Sequence, residues 1–305
     1  MLKTSKTGVC GRRRIASLAA RLIAVTALGF AGLAATTPAH AADKLSFITG
    51  PFRPTEAETR AQWEPLVKYL GAQLGVETEL TIADDWAKVN TAMAKNEYDV
   101  AWMGGAGRYV LTRSQGAGPA IASVKFAGSP VYRAVVIARE GVDVKNFPQD
   151  AKGMSISFTH ENSTTGWLMP YAYLLSQGID PKTWFKYKAV NQHPDNEIAV
   201  ANGTSDLATD SDANRTSMIR RGLVKEQAVP VIWRSDEVPQ DPISVRNGLE
   251  PALVKRLQEA LVAIDAERVK SIPMPAGYTG FVPATDETYR KVHDASVIVG
   301  RIQKP

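Results

Sequence analysis

One cysteine is all the 305-residue chain contains, Cys10. It precedes the apolar run of the N-terminal segment, whereas a lipid-anchoring cysteine would follow it. A chain cut after that segment would hold no cysteine, so disulfides, thiolate catalysis and cysteine-ligated metals are excluded together. A run long enough to cross a bilayer is also missing: residues 22–35 form an apolar stretch of 14, against the ~20 that a spanning helix needs. There is no Gly-rich Lys-Ser/Thr phosphate loop and no His-Glu-x-x-His pair, so nucleotide-loop and zinc-protease chemistry have no foothold. Low-complexity segments and short repeats are absent as well. What remains is a body that must be held by its core, and its length permits one core or two.

A basic folded body is lacking too, although the formal net charge is +5. Lys3, Lys6, Arg12, Arg13, Arg14 and Arg21 lie in residues 1–41 with no acid among them, which leaves residues 42–305 with 30 basic against 31 acidic residues. Nucleic-acid binding, which needs a basic face on the domain itself, is therefore not expected. The same segment has the layout of a signal peptide: cations, the apolar run, Pro38, and the small-x-small triplet Ala39-His40-Ala41. Cleavage after Ala41 and export to the periplasm are expected, by the Sec route or, from Arg12-Arg13-Arg14, the twin-arginine route.

From residue 45 onward strand-like and helix-like stretches alternate. Residues 45–49, 79–83 and 100–103 read as strands, with Trp63, Leu66, Val67, Leu70 and Leu74 recurring at helical spacing between the first two and Gly75 as the helix stop. Further strands fall near 121–126 and 133–138. A second set follows: strands at 155–158, 187–190, 207–209 and 229–233, a helix at 164–176 and a short one at 197–201, then a strand near 243–246 and helical patterns from Ala252 onward. Such alternation predicts an α/β protein with two lobes, each a mostly parallel sheet flanked by helices and hinged by two crossings. The turn signals Gly128-Ser129-Pro130 and Pro239-Gln240-Asp241-Pro242 place the crossings. They divide the chain into a signal peptide (1–41), a discontinuous first lobe (42–129 plus 239–305) and an inserted second lobe (130–238). Ligands in such sheets bind beyond the carboxyl ends of the strands, here between the lobes.

The most informative stretch is Asn162-Ser163-Thr164-Thr165-Gly166-Trp167-Leu168-Met169-Pro170. A strand ends, and Ser163, Thr164 and Thr165 open a helix whose first turn carries free N–H groups and partial positive charge. Hydroxyls and amides without fixed negative charge make an oxyanion cradle; simple N-capping by Ser163 is the alternative. Pro170 falls in the second turn and should free a carbonyl or kink the helix.

This stretch resembles the Asn-Ser-Thr-Ser-Gly-aromatic-Leu-x-Pro motif of the phosphate/phosphite/phosphonate-binding proteins of ABC importers. So do Tyr98 to Gly104, Gln192-His193 with Asn196, Val231 to Ser235 and Pro239 to Ile243, in the family's order, over roughly residues 45–261. The resemblance implies the type II periplasmic binding protein fold, a small phosphorus-containing anion as ligand, a membrane permease as partner, a monomeric working unit and neither cofactor nor metal. It places Ser163, Thr164 and Thr165 on the phosphorus-bound oxygens, with His193 as a further donor and Asp241 facing a protonated oxygen. Trp86 and Met103 take the cleft's aromatic positions. Read without the resemblance, His193 and Asp241 are equally turn residues before Pro194 and Pro242, and Trp86 a core contact beside Val89 and Met93. Relatives that bind aminoalkylphosphonates carry a tyrosine where Met103 stands and a glutamate where Ala213 stands. With Asp210 or Asp212 as the only nearby replacements, 2-aminoethylphosphonate is not the expected ligand. Arg133 is a candidate cation near the cleft, and the chain after Leu261 is expected to be short of a helical extension.

Phosphate or another oxyanion as ligand, and presentation to a signalling receptor, are the nearest alternatives. The remote one is a hydrolase using Ser163, His193 and Asp241. No Gly-x-Ser-x-Gly elbow surrounds Ser163, and no enzyme is expected.

Overall fold

The computed structural model describes residues 44–189, 192–275 and 277–303. The expected signal peptide with Cys10, and Val190 at the end of an expected strand, lie outside the described residues. The chain runs β1 (Lys44–Thr49), α1 (Glu56–Leu74), β2 (Glu77–Ile82), α2 (Trp86–Ala94), β3 (Val100–Trp102), α3 (Ala106–Ser114) and β4 (Ala120–Phe126). It continues through β5 (Val131–Ala138), β6 (Ser155–Phe158), α4 (Met169–Ser176), α5 (Pro181–Trp184), β7 (Lys186–Ala189), α6 (His193–Ala201), β8 (Leu207–Ser211), α7 (Asp212–Arg220) and β9 (Val231–Pro239). It ends with β10 (Pro242–Val245), α8 (Pro251–Val262), α9 (Arg268–Ser271), β11 (Tyr278–Pro283) and α10 (Arg290–Ile298). None of the described helices is long and apolar enough to cross a membrane. Local signals act as read. Thr55 and Glu58 form a capping box at the start of α1, and Gly75 closes it in the left-handed region at φ 68°.

Two sheets result, with strand orders β11-β4-β10-β3-β1-β2 and β7-β6-β8-β5-β9. In the first, β1 is parallel to β2 and β3; in the second, β6 is parallel to β7 and β8. The other pairings are antiparallel, so each sheet is mixed rather than mostly parallel. The crossings explain this. The parallel strands point their carboxyl ends at the junction of the lobes, so a strand entering from the junction, such as β5 or β10, must run the other way. The chain after Leu261 adds the edge strand β11 and the helix α10, which packs on both α3 and α4 and so serves both lobes.

α3 was not marked in the sequence reading. Ala106, Gly107, Arg108, Tyr109, Val110 and Thr112 are all buried, since α2, α10 and the turn before α4 surround it. The largest apolar cluster passes through it, from Met93 and Tyr109 by way of Tyr289 and Val292 to Phe158 and Leu168. The outer faces of the sheets have their own cores, around Trp63, Leu66, Leu257 and Phe281 in one lobe and Val135, Ile137 and Met218 in the other.

A repeat invisible in the sequence ties down both parallel pairs. Asp99 precedes β3, and its Oδ2 accepts from the backbone N–H (2.9 Å) and hydroxyl (2.8 Å) of Ser46 in β1 while Oδ1 accepts from Arg246 Nε (2.7 Å). Asp206 precedes β8 and does the same with Ser155 of β6 (3.0 and 2.8 Å) and with Arg139 Nη2 (3.1 Å). Each arginine closes the loop by donating its backbone N–H to the carbonyl of its aspartate. Burial alone would raise the Asp99 pKa, but the Ser46 and Arg246 bonds outweigh it and hold the carboxyl below the usual range. Asp206 is lowered as well, first by the Ser155 N–H.

Asp99→Asn and Asp206→Asn are each expected to lower unfolding free energy in urea by ~1–3 kcal/mol, the range for hydrogen bonds to charged groups. Because both carboxyls are depressed in the native state, their contribution is complete above the unfolded pKa near ~4 and is lost as pH falls below it. The acid side of the stability curve should be flatter in each variant.

Candidate functional site

The helix that Ser163 opens is not α-helical at its start. Leu168 N–H bonds to Ser163 O and Met169 N–H to Thr164 O, each five residues back, giving a π turn over Thr164–Leu168 before α4. Pro170 has no N–H, so the carbonyl of Gly166 has no helical partner. It accepts instead from Thr159 N–H (3.1 Å) and from the Thr209 hydroxyl (2.5 Å), which lock the turn onto the ends of β6 and β8. Only glycine fits: a Cβ on Gly166 would lie 2.2 Å from Thr159 Oγ1 and 2.9 Å from His193 Cε1.

Ser163, Thr164 and Thr165 are all buried. Ser163 Oγ accepts from Gly166 N–H at 3.0 Å, so the expected cap is present. That cap leaves Thr164 and Thr165 with first-turn N–H groups for which the helix supplies no acceptor. The Thr164 hydroxyl accepts from Gly107 N–H at 2.9 Å, which sets the turn directly against the first turn of α3 in the other lobe. Tyr132, at the start of β5, stands by both threonine hydroxyls. Its pKa is raised by burial and by Asp241, and lowered in part by Thr164 and Thr165.

His193 Nε2 lies 3.1 Å from Ser163 Oγ. Its Nδ1 lies 2.5 Å from Asp210 Oδ1. Asp210 is fully buried and also accepts from Ser211 N–H (2.6 Å) and Asn214 Nδ2 (2.8 Å). The third member of the Ser163–His193 chain is thus Asp210 and not Asp241. Asp210 is also not free to meet an ammonium group, and Asp212 accepts from Arg133 N–H (2.9 Å). A neutral His193 ring gives its one N–H to Asp210, leaving Nε2 as the acceptor of the Ser163 hydroxyl. Behind Asp210 lies Glu197, which nothing in the sequence had marked. It is fully buried and its carboxyl oxygens have no hydrogen-bond partner. Burial and the neighbouring Asp210 carboxyl both push its pKa upward.

Asp241 sits in the return crossing between β9 and β10, with Tyr278 OH donating to Oδ2 at 3.2 Å. Burial pushes its pKa up to about 6, against the opposing pull of Tyr278 and Arg108. Trp86 lies on the glycines of two strand ends, where a Cβ on Gly50 or Gly104 would come within 2.5 and 2.4 Å of its ring. Gly104 also needs its freedom for a φ of 65°. The ring carries the Arg108 guanidinium at 4.2 Å. Met103 is brought nowhere near an open surface: its side chain is fully buried in the shared core, and its contribution is a carbonyl that accepts from Arg108 Nη1 at 3.2 Å. A short, flexible thioether after an all-buried strand is drawn into the core. Arg133 pairs with Glu237 at 2.9 Å. The arrangement as a whole is a buried junction of two strand-end sets, rich in N–H and O–H groups, with two carboxyls, Asp241 and Glu197, that burial disfavours in their charged form.

The family described as ABC transporter, phosphonate, periplasmic substrate-binding protein matches residues 52–289. The phosphonates-binding periplasmic protein of Escherichia coli K12 is 28% identical over 218 residues, 70% of this chain and 64% of that one, so the match spans just under two thirds of that relative. The phosphate-import protein PhnD of Mycolicibacterium smegmatis is 28% identical over 269 residues, covering 80% of this chain and 82% of that one. Among solved structures, PhnD1 of Prochlorococcus marinus in complex with methylphosphonate superposes with a TM-score of 0.66 at 17% identity, over 85% of this chain and 99% of that one. That likeness is one of fold, the type II periplasmic binding protein fold with its two sheets flanked by helices. Matched along most of its described length, the chain belongs to the periplasmic substrate-binding proteins of phosphonate ABC transporters.

Proposed function

We propose that the chain captures a small phosphorus oxyanion, of the phosphonate or phosphite type, between its lobes and delivers it to the membrane permease of an ABC importer. The observation that carries this reading is the π turn. The first-turn N–H groups of Thr164 and Thr165 lie beside the place where Gly107 of the opposite lobe meets the Thr164 hydroxyl, and the Ser163–His193 pair flanks the same turn. These are donors on a fixed frame, and an oxyanion is what such a frame recognises. Charge-assisted bonds contribute roughly 1.5–3 kcal/mol each, and four or five leave a micromolar affinity after ordering costs. Relatives whose names state a phosphonate or phosphate cargo, and a fold neighbour holding methylphosphonate, support the same ligand class. Phosphate is the second reading, favoured by the name of the M. smegmatis relative.

Asp241 discriminates by protonation. Its carboxylate repels a fully ionised oxyanion and accepts from one that keeps a proton. Ser163 and His193 hold each other as in a hydrolase, but the Ser163 oxygen already accepts the Gly166 N–H and the family is a transporter component, so the pair serves binding.

Calorimetric titration of the purified protein with phosphite, methylphosphonate, phosphate and sulfate tests the reading. Phosphite or methylphosphonate should bind at micromolar concentration, and heat-free titrations across the whole panel would overturn it. His193→Ala should weaken binding by about tenfold, because the ring that holds the Ser163 hydroxyl beside the turn is lost. Gly166→Ala should lower both affinity and melting temperature, because its Cβ displaces Thr159 and His193 together.

For Asp241 the native pKa lies above the unfolded one, so its stability contribution is complete below about 4 and is lost as pH rises through about 6. Ligand-free protein should therefore lose melting temperature between pH 5 and 7 by an amount that Asp241→Asn abolishes, and that variant should melt higher than the parent at pH 7.

A further inference from the structure

Arg108 is a buried cation without a salt bridge. It is 9% exposed, and no carboxylate among the described residues lies within ion-pair distance of it. Its one hydrogen bond goes to the Met103 carbonyl at 3.2 Å, and its guanidinium rests on Trp86 at 4.2 Å. Five N–H donors are thus answered by a single neutral acceptor and a ring face, and the one carboxyl that feels the charge, Asp241, makes no hydrogen bond to it. Burial lowers its pKa to about 10, which leaves it charged at neutral pH. Such a burial is costly unless an anion completes it. Elsewhere the protein pairs comparable groups: Arg246 with Asp99, Arg139 with Asp206, Arg301 with Glu161.

Its position says where the anion comes from. Arg108 follows Gly107, whose N–H holds the Thr164 hydroxyl, so the guanidinium belongs to the first turn of α3 that abuts the oxyanion cradle. Its charge is felt across the junction. The pKa of His160, just ahead of the π turn, is lowered first by burial and then by Arg108, and the Asp241 carboxyl is lowered in part by it from the crossing side. Trp86 and Gly104 fix the group, since a Cβ on Gly104 would lie 2.9 Å from Nη1.

We infer that Arg108 is the first lobe's anion contact, clamped by Trp86 so as to take an oxygen of a ligand seated on Ser163, Thr164 and Thr165, and that it makes the site selective for phosphorus oxyanions without an ammonium substituent. This deepens the proposed function and rests on it. The guanidinium supplies the fixed positive charge that backbone amides and a tautomerising imidazole lack. It also repels a cationic substituent on the ligand.

Titrations of the parent, Arg108→Gln and Arg108→Lys with methylphosphonate and with 2-aminoethylphosphonate test this, together with melting curves of the ligand-free proteins. The parent should bind methylphosphonate at least about tenfold more tightly than the aminated compound, the scale of one charge-assisted bond. Arg108→Gln should lose about tenfold or more for methylphosphonate and less for 2-aminoethylphosphonate, closing the gap, and Arg108→Lys should recover part of the preference. A ligand anchor also predicts that ligand-free Arg108→Gln melts no lower than the parent. Undiminished methylphosphonate binding by Arg108→Gln, or a fall in its ligand-free melting temperature, overturns the inference. If His193→Ala loses methylphosphonate while Arg108→Gln does not, the cradle stands and the clamp falls. If the parent binds no phosphorus oxyanion, both fall.

Discussion

Pro170 cannot donate a backbone hydrogen bond, and the position of the cradle follows from that deficit. The Gly166 carbonyl, left without its helical donor, is taken by Thr159 N–H and the Thr209 hydroxyl at the ends of β6 and β8. The turn widens to a π turn, and Ser163, Thr164 and Thr165 are anchored to the sheet rather than left to fray. A glycine is required at 166 because Thr159 and His193 occupy the space a side chain would need. The same locking brings His193 within reach of Ser163 and, through Asp210, ties the turn to the far side of β8.

The two lobes are built to present such turns to each other. Each fastens its central parallel strands with the same serine–aspartate–arginine staple at the amino ends, Ser46–Asp99–Arg246 and Ser155–Asp206–Arg139. The opposite, carboxyl ends are thereby free to carry glycine turns, helix starts and ligand-facing groups. α3 and α10 then continue one apolar core from lobe to lobe, so the junction is dry around Tyr109, Tyr289 and Leu168. Low water content strengthens every hydrogen bond made there and makes an isolated charge such as Arg108 expensive until an anion arrives.

Much of this was legible in the chain itself. The 3.6-residue spacing from Trp63 to Leu74 and the stop at Gly75 marked α1, and the hydroxyl run at 163–165 marked the helix start and the Ser163 cap. Pro170 was readable as trouble for the helix, though its remedy was not. Three things were illegible for physical reasons. α3 buries Arg108 and Thr112 together with its apolar residues, so its polar residues do not mark a solvent face. Met103, expected at the cleft, is pulled into the core by the strand that precedes it. Asp210, read as a candidate partner for an ammonium group, and Glu197, read only as the start of a short helix, gave no sign of their burial, because no local pattern marks a carboxyl for complete burial.

The sequence by itself determined where most strands and several helices fall, because hydrophobic period, capping and turn chemistry act over a few residues. It determined equally which short stretch is rich in oxyanion donors. Only the tertiary structure decided which side chains complete that stretch. The partnership of His193 with Asp210 rather than Asp241, the antiparallel entry of β5 and β10, and the salt-bridge-free burial of Arg108 on Trp86 join residues far apart in the chain. Such contacts are fixed by how two separately folded sheets meet, and no local spacing encodes that meeting.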